Sequence, residues 1–503
     1  MTPSERPWAI FQSKPVLSVG ILMILGTLPQ AVPALHSFKV FSAESQPASD
    51  SPAQDSSAQV SSALAEPTQR EGEVVLNEQT KDRPEMAQPE HNDLPTVVES
   101  PPLSEPPSEG TLAPEEKPPV SIVDDSNSLA PFYRSLEASL RKVPGAITRI
   151  LYHGDSVVAS DYLTGTLRRL LQDRFGDSGH GFVLMANAWP SYFHNDVWRD
   201  TTSGFVVSRV VGPYTKDGLY GLGGVSFKAP GRVRAQFATM SKGNYGRNVS
   251  HFEFSYLASP GAGVVRLSVD GHVYSEIQTA SNQVETKVAQ IDVPDGPHSF
   301  EVYTESGTTR MFGVVLERTV PGVVLDAIGI QGARIRFLDK QDDAHWASQL
   351  AWRKPNLIAF HFGANESGDG YAYSMPDYHA TMKAVLLQAK QAAPEAGCLI
   401  VGALDRARKV DDGMITVPVI PLIVEEQRKT AEEVGCAFWN TFEAMGGKGS
   451  MARWVRRGLG QADLTHPSGV GADRLGQWLY RALMEGFDRY RAKNSAPAAT
   501  SAH

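Results

Sequence analysis

The sequence predicts an α/β protein: a parallel sheet covered by helices on both faces, interrupted by an all-β insert of sandwich or jelly-roll type and preceded by a disordered linker. Three observations predict it. Short apolar runs rich in β-formers ("AITRILYHG", "GVVLDAIGI", "NLIAFHFGA", "GCLIVGAL", "GCAFWNT") occur along the folded part, and helical stretches such as "MPDYHATMKAVLLQAKQAA" separate the later ones. Continuous apolar strands between helices mark a sheet buried on both faces. The first two runs lie about 170 residues apart, whereas a strand–helix–strand unit needs about 30, so something else is inserted there. Ahead of all this runs a long stretch rich in Pro, Ser, Glu and Ala, which cannot bury enough apolar surface to offset its ordering entropy.

In chain order, residues 1–40 come first. Arg6 and Lys14 precede the 13-residue apolar run "VLSVGILMILGTL", and small residues surround Ala34. The pattern is that of a secretory signal with cleavage near "VPA". The run is shorter than the ~20 apolar residues of a membrane span; extended through its two prolines it would serve as an uncleaved anchor. No cysteine follows the run, so a lipid anchor is not indicated. Residues 41–127 hold 18 acidic against 4 basic side chains, a net of −14. They read as a disordered acidic tether with a reach on the order of 50 Å. The chain as a whole carries −9, so residues 128–503 are nearly neutral and lack the basic stripe that nucleic-acid binding requires.

Residues 128–199 open the α/β part, with the helical "SLAPFYRSLEASLRKV" before the first strand. The helix after it, "YLTGTLRRLLQDRF", places Leu163, Leu167, Leu170, Leu171 and Phe175 at helical spacing. Residues 200–321 change texture. "HFEFSYLA", "VVRLSVDGHVYSEIQ" and "TRMFGVVLE" are short strands, and Asp270-Gly271 and Asp295-Gly296 punctuate hairpins. Residues 322–490 return to the α/β pattern, and 491–503 read as a disordered tail. Cys398 and Cys436 are the only cysteines, which excludes a disulfide scaffold or a Cys-based zinc site. Each opens an apolar run, so neighbouring strands would bring the sulfurs close. Buried free thiols are the expected state, with a bridge as the alternative that an exported location permits.

Polar interruptions fall where the apolar strands end. "LYHGDSVV" presents Ser156, "AIGIQGARI" Gly332 and "FHFGANESG" Asn365, while "QADLTHPSG" before the last helix holds Asp463 and His466 three apart. In a doubly wound sheet the carboxyl ends of the strands share one edge, where ligand sites lie. These residues would meet there and supply what acyl transfer needs. Ser156 is the nucleophile, His466 the base that activates it, and Asp463 the carboxylate that fixes the imidazole tautomer. The backbone N–H groups of Ser156 and Gly332 and the Asn365 amide would form an oxyanion hole. No one of these motifs is specific; their joint occurrence in this order is.

On those residues the chain resembles the SGNH (GDSL-type) hydrolases, whose four sequence blocks match "GDS", the Gly of "IQGA", "GANE" and "DLTH". The resemblance covers about residues 128–490 and implies a three-layer flavodoxin-like fold with Ser156, Gly332, Asn365 and His466 as the block residues. "VPDGPHSFEVYTE" and "FGVVLERTVPGVVLDAIGIQGA" extend it to the bacterial peptidoglycan O-acetylesterase subgroup, in which a carbohydrate-binding-module-like β domain interrupts the catalytic one. It implies an exported serine esterase of the periplasm or cell envelope, acting on an O-acetylated polysaccharide, most of all peptidoglycan, without a cofactor. Its partner would be that glycan, and the inner membrane if the N-terminal segment is uncleaved. Two other readings use the same residues: a polysaccharide O-acetyltransferase, and a non-catalytic wall-binding protein. One departure is that Val157 and Val158 follow the serine, where many relatives carry a polar residue.

Further side chains are candidates for substrate contact. Trp189, Tyr192 and His194 form an aromatic cluster, with Trp198, that would stack on a sugar or pack against the insert. Glu366 would touch substrate, orient Asn365 or stay solvated. Asp155 would brace the nucleophile turn, and His361 reads as a core histidine. His153, His180, Asp369 and Asp377 have no metal-ligand spacing, so no metal is expected.

Overall fold

The structure, a computed structural model, describes residues 120–190 and 192–495. The expected signal or anchor, the linker up to residue 119 and the end of the tail lie outside the described residues. Helix α1 (Ala130–Leu140) leads to strand β1 (Ile147–Gly154), the short helix α2 (Ser156–Ala159) and helix α3 (Tyr162–Phe175). A run of strands follows: β2 (Gly179–Leu184), β3 (Trp198–Thr201), β4 (Val206–Arg209), β5 (Val225–Ala229), β6 (Arg234–Ala238) and β7 (Val249–Ala258). It continues with β8 (Val264–Val269), β9 (His272–Gln278), β10 (Glu285–Gly296), β11 (Ser299–Ser306) and β12 (Thr309–Glu317). The α/β alternation then resumes with β13 (Gly322–Gly329), α4 (Asp343–Arg353), β14 (Leu357–His361), α5 (Met375–Ala392) and β15 (Gly397–Val401). A hairpin of β16 (Ala407–Val410) and β17 (Gly413–Thr416) precedes α6 (Ile420–Val434) and β18 (Ala437–Trp439). Two short helices, α7 (Thr441–Ala444) and α8 (Ser450–Arg456), and the long α9 (Gly469–Ser495) complete the chain.

The apolar runs form one parallel sheet in the order β13-β1-β14-β15-β18. Its strands are buried on both faces because alternate residues serve two cores. Ile150 and Tyr152 of β1 point into the core with Leu136 of α1, Leu163 and Leu167 of α3 and Leu475 of α9. Leu151 faces the other core, with Trp346 of α4, Val385 of α5 and Ile423 of α6. This is the predicted three-layer α/β arrangement. The remaining strands form separate antiparallel sheets, β10-β7-β12-β5-β4 and β3-β6-β11-β8-β9. Phe252 of the first stacks on Phe300 of the second at 4.9 Å between centroids, so the two sheets face each other.

Charged side chains stitch the antiparallel region to the parallel sheet. Buried Arg353 of α4 donates to Asp326 of β13 at 2.8 Å and to Glu317 of β12 at 2.5 Å, and Arg149 of β1 holds the same Glu317 at 2.7 Å. The second Asp326 oxygen accepts the Phe182 N–H of β2 at 2.7 Å. In this seam the arginines outweigh the burial that would push the Glu317 carboxyl up, and hold it down at about 2. Breaking one member of such a network leaves an unpaired buried charge, at a cost of about 3–5 kcal/mol.

Four details differ from the sequence expectations. Antiparallel pairing starts before residue 200, since β2 pairs with β12 and β3 with β6; "GHGFVL" is buried throughout and lacks the alternation that would have marked it. Residues 120–127, assigned to the linker, belong to the fold. Val123 bridges Phe438 of β18, buried Ile122 joins the core, and the Asp124 carboxylate accepts the Ser128 and Leu129 N–H groups ahead of α1. Helix α9 runs to Ser495, five residues into the expected tail. Cys398 and Cys436 are bonded to each other, with Cα atoms 4.8 Å apart, where free thiols were expected. Parallel pairing of Leu399 with Ala437 sets the two cysteines side by side.

Candidate active site

Register brings the predicted residues to one edge. Gly154, the last residue of β1, pairs with Gly329 of β13 and His361 of β14, so three strands end level. Two of these glycines are required by close approach. A Cβ on Gly329 would lie 2.0 Å from the Ala159 nitrogen, and one on Gly154 would lie 2.9 Å from the His361 carbonyl oxygen. Helix α2 is thereby wedged against the strand ends, with Val157 and Val158 buried beneath it. That burial is the physical reason for two valines after the serine. Ser156 is the first residue of α2, where a helix N–H has no acceptor within the helix and the dipole favours negative charge.

The serine hydroxyl lies 2.8 Å from Nε2 of His466. Nδ1 of His466 lies 2.7 Å from one oxygen of Asp463, whose other oxygen accepts the N–H groups of Thr465 and His466 at 2.9 and 3.0 Å. Burial pushes the Asp463 carboxyl up, but these donors outweigh it and hold the group below the usual carboxylate range, ionised. An ionised Asp463 keeps the Nδ1 proton in place and leaves Nε2 free to accept the serine proton. The imidazole and carboxylate are about one third and one half exposed, so substrate can reach them.

The other strand-end loops are tied to the Ser156 turn. Asp155 N–H donates to His361 O at 3.3 Å, and Ile330 N–H donates to Gly154 O at 2.9 Å. Gly332 follows two residues later, exposed and at φ 77°, a left-handed value that favours glycine. Asn365 Nδ2 donates to Ala333 O at 2.9 Å and approaches the Asp155 carboxylate at 3.4 Å. Asp155 also accepts the Val157 N–H at 3.1 Å, the bracing role expected of it. Burial, with Glu366 nearby, pushes its carboxyl up to about 7.

The four residues considered for substrate contact do not reach solvent. Trp189, Tyr192 and His194 are buried. Trp189 meets Tyr192 edge-on, the Tyr192 hydroxyl accepts the Leu184 N–H, and His194 Nδ1 pairs with His180 Nε2 at 2.9 Å. They pack at the base of the antiparallel region, and burial pushes His194 down to about 3. Trp198 of β3 is half exposed. Glu366 is fully buried and accepts the N–H groups of Gly363 and Ile335 at 3.0 and 2.9 Å. It shapes the loops that carry Asn365 and Gly332. Asp369 is paired with Arg334, and His361 Nδ1 meets the Tyr152 hydroxyl at 3.2 Å inside the core. No group of three His, Cys, Asp or Glu among the described residues is placed to hold a metal ion.

One neighbour of the site was missed. Arg406 follows β15 and donates to Thr465, Ala364 and Ser367, all within 3.3 Å. The signal was present: "GCLIVGALDR" ends a strand of the same sheet, so its last residues fall on the same edge.

The chain is similar in structure to a solved peptidoglycan O-acetylesterase, at 24% identity and a TM-score of 0.63, covering 73% of this chain and 99% of that one. The two share a fold. A family two carbohydrate esterase from Cellvibrio japonicus aligns at 12% identity and a TM-score of 0.23, covering 58% of this chain and 98% of that one. A salicylyl-acyltransferase from a tetracycline biosynthetic pathway aligns at 13% and 0.27, with the same coverage. No protein-family model matches the chain, and no curated protein matches its sequence.

Proposed function

We propose that this protein is an exported serine esterase that removes O-acetyl groups from a polysaccharide, with peptidoglycan as its substrate. The observation that carries the reading is the continuous relay from the Ser156 hydroxyl through both nitrogens of His466 to Asp463, at 2.8 and 2.7 Å. Ser156 Oγ attacks the acetyl carbonyl carbon and its proton passes to His466 Nε2. The tetrahedral oxyanion is met by the N–H groups of Ser156 and Gly332 and by the Asn365 amide once it turns from the Ala333 carbonyl. Collapse breaks the C–O bond to the sugar, and the leaving oxygen takes the proton from His466. A water molecule, deprotonated by the same imidazole, then attacks the acetyl-serine, and acetate and the free hydroxyl result. Side chains and water balance every step.

The polysaccharide assignment is supported by the shared fold with the peptidoglycan O-acetylesterase, and the antiparallel sheets are the region proposed to hold the glycan. Export to the periplasm or cell envelope is supported by the N-terminal apolar run and by the Cys398–Cys436 bond, which an oxidising compartment permits. Among the described residues no helix is long and apolar enough to cross a membrane. Acetate release is the test, measured on O-acetylated peptidoglycan, acetylated xylan and acetylated alginate. The expected result is release from peptidoglycan above the other two, and none with Ser156→Ala. Full activity in Ser156→Ala overturns the nucleophile; a preference for xylan or alginate overturns the substrate.

A further inference from the structure

The rule that gathers Ser156, Gly332 and Asn365 at one edge applies equally to β15, and the residue it delivers there is Arg406. Its side chain reaches in two directions. Nε donates to the Thr465 hydroxyl at 3.1 Å, while Nη1 donates to the Ser367 hydroxyl at 3.1 Å and the Ala364 carbonyl at 3.3 Å. Thr465 sits between Asp463 and His466, and Ala364 and Ser367 bracket Asn365. One planar guanidinium therefore spans the turn that carries the base and the turn that carries the amide. A fork of fixed N–H directions suits such a bridge better than a point charge does.

The base turn needs a hold. Leu464, between Asp463 and Thr465, adopts φ 61°, a left-handed conformation that a leucine avoids and that persists only where its surroundings over-determine it. The Arg406 segment supplies those surroundings. Ala407 N–H donates to Leu464 O at 2.8 Å, and Val417 N–H fixes the Arg406 carbonyl at 2.7 Å through the β16–β17 hairpin. The Thr465 hydroxyl, accepting from Arg406, donates onward to the Asp463 carbonyl at 3.2 Å. On the far side, Ser367 Oγ donates to Ala364 O at 2.7 Å, so both acceptors of Nη1 belong to one closed turn.

We propose that Arg406 is a positioning residue: by clamping both turns it sets the placement of His466 and Asp463 relative to the Asn365 amide. The proposal rests on the esterase reading. It concerns the alignment of base and oxyanion donor, where misplacement by about 1 Å costs on the order of 100-fold in rate.

The test is steady-state hydrolysis of 4-nitrophenyl acetate with melting temperature measured alongside. Arg406→Gln is expected to lower kcat about 10- to 100-fold and to leave KM within about twofold, because ground-state binding is untouched. Guanidinium ion added to the buffer is expected to restore part of that loss, which no purely structural role predicts. Thr465→Val removes one end of the clamp, so its effect should not add to that of Arg406→Gln in a double-mutant cycle. Should Arg406→Gln fail to fold, Arg406→Lys replaces it: an ammonium reaches one turn only, and kcat should still fall. Unchanged kcat in a folded Arg406 variant, or losses that multiply in the cycle, overturn the clamp while an active wild type and a dead Ser156→Ala uphold the esterase. A wild type without turnover overturns the esterase reading and the catalytic role of the clamp together.

Discussion

His466 and His251 both hold an aspartate oxygen close to Nδ1, at 2.7 Å from Asp463 and 2.6 Å from Asp292. What differs is the second nitrogen. In the loop at the sheet edge, Nε2 of His466 faces the Ser156 hydroxyl at 2.8 Å. In the antiparallel region, Nε2 of His251 faces the Glu253 carboxylate at 3.2 Å. His298 repeats the second pattern, between Asp270 at 2.7 Å and the Pro294 carbonyl at 2.8 Å. An imidazole with an acceptor on each nitrogen is most stable carrying both protons. The Glu253 contact, then Asp292, accordingly raises His251 to about 8 against the opposing effect of burial. Burial lowers His298, but Asp270 and the Pro294 carbonyl outweigh it and leave it raised. His251 is thereby a structural cation at neutral pH and His298 is held toward the same form, whereas the second nitrogen of His466 meets a hydroxyl. A His–Asp pair alone is therefore no mark of catalysis; the proposed function rests on the serine hydroxyl at the second nitrogen.

Substitutions can break or sharpen this contrast. The largest effect is expected for His466→Ala, with kcat for ester hydrolysis down about 10^4- to 10^6-fold, whereas His251→Gln should stay within about twofold of the wild type. Comparable losses in both variants would erase the distinction. Next, Asn365→Ala should lower kcat about 100- to 1000-fold with KM little changed, if its amide swings from Ala333 O to the oxyanion; a pure KM effect in initial-rate data would remove it from the hole.

The smallest effect is on stability. His251 is raised in the folded protein to about 8, against about 6.5 unfolded. The folded state thus binds more protons between those values. The resulting stabilisation, about 1–2 kcal/mol, is full below pH 6.5 and is lost as pH rises through 8. Calorimetry from pH 6 to pH 9 should show a fall in melting temperature that flattens in His251→Gln; equal slopes would refute the cation assignment.

How much of this was legible in the sequence depended on whether a signal was local. Ser156, Asp463 and His466 stood out because each interrupts an apolar or helical pattern. Sheet topology places Ser156 at the edge, and the loop before the last helix, tied to the β15 end through Ala407 and Arg406, brings the other two to it. The five strands of the parallel sheet were visible for the same reason. Arg406 was passed over although its strand end obeys the same rule, since an arginine after an apolar run looks like ordinary solvation. Tyr192 and His194 misled in the opposite sense, whereas Trp189 packs as the alternative reading had it. Aromatic rings suit a sugar as well as a core, and only the position of the antiparallel sheets decides that they are buried. The seam of Arg149, Glu317, Asp326 and Arg353 was invisible, because its members are scattered over the chain and each looks like a surface charge until paired.

The hydroxyl and the imidazole of the relay are separated by 310 positions in the chain. At ribosomal speeds of about 5–20 residues per second, Ser156 emerges roughly 15 to 60 s before His466. On the proposed esterase reading, a nascent or truncated polypeptide lacks its base until the C-terminal segment docks, so competence toward esters would double as a report that synthesis and folding have run to the end.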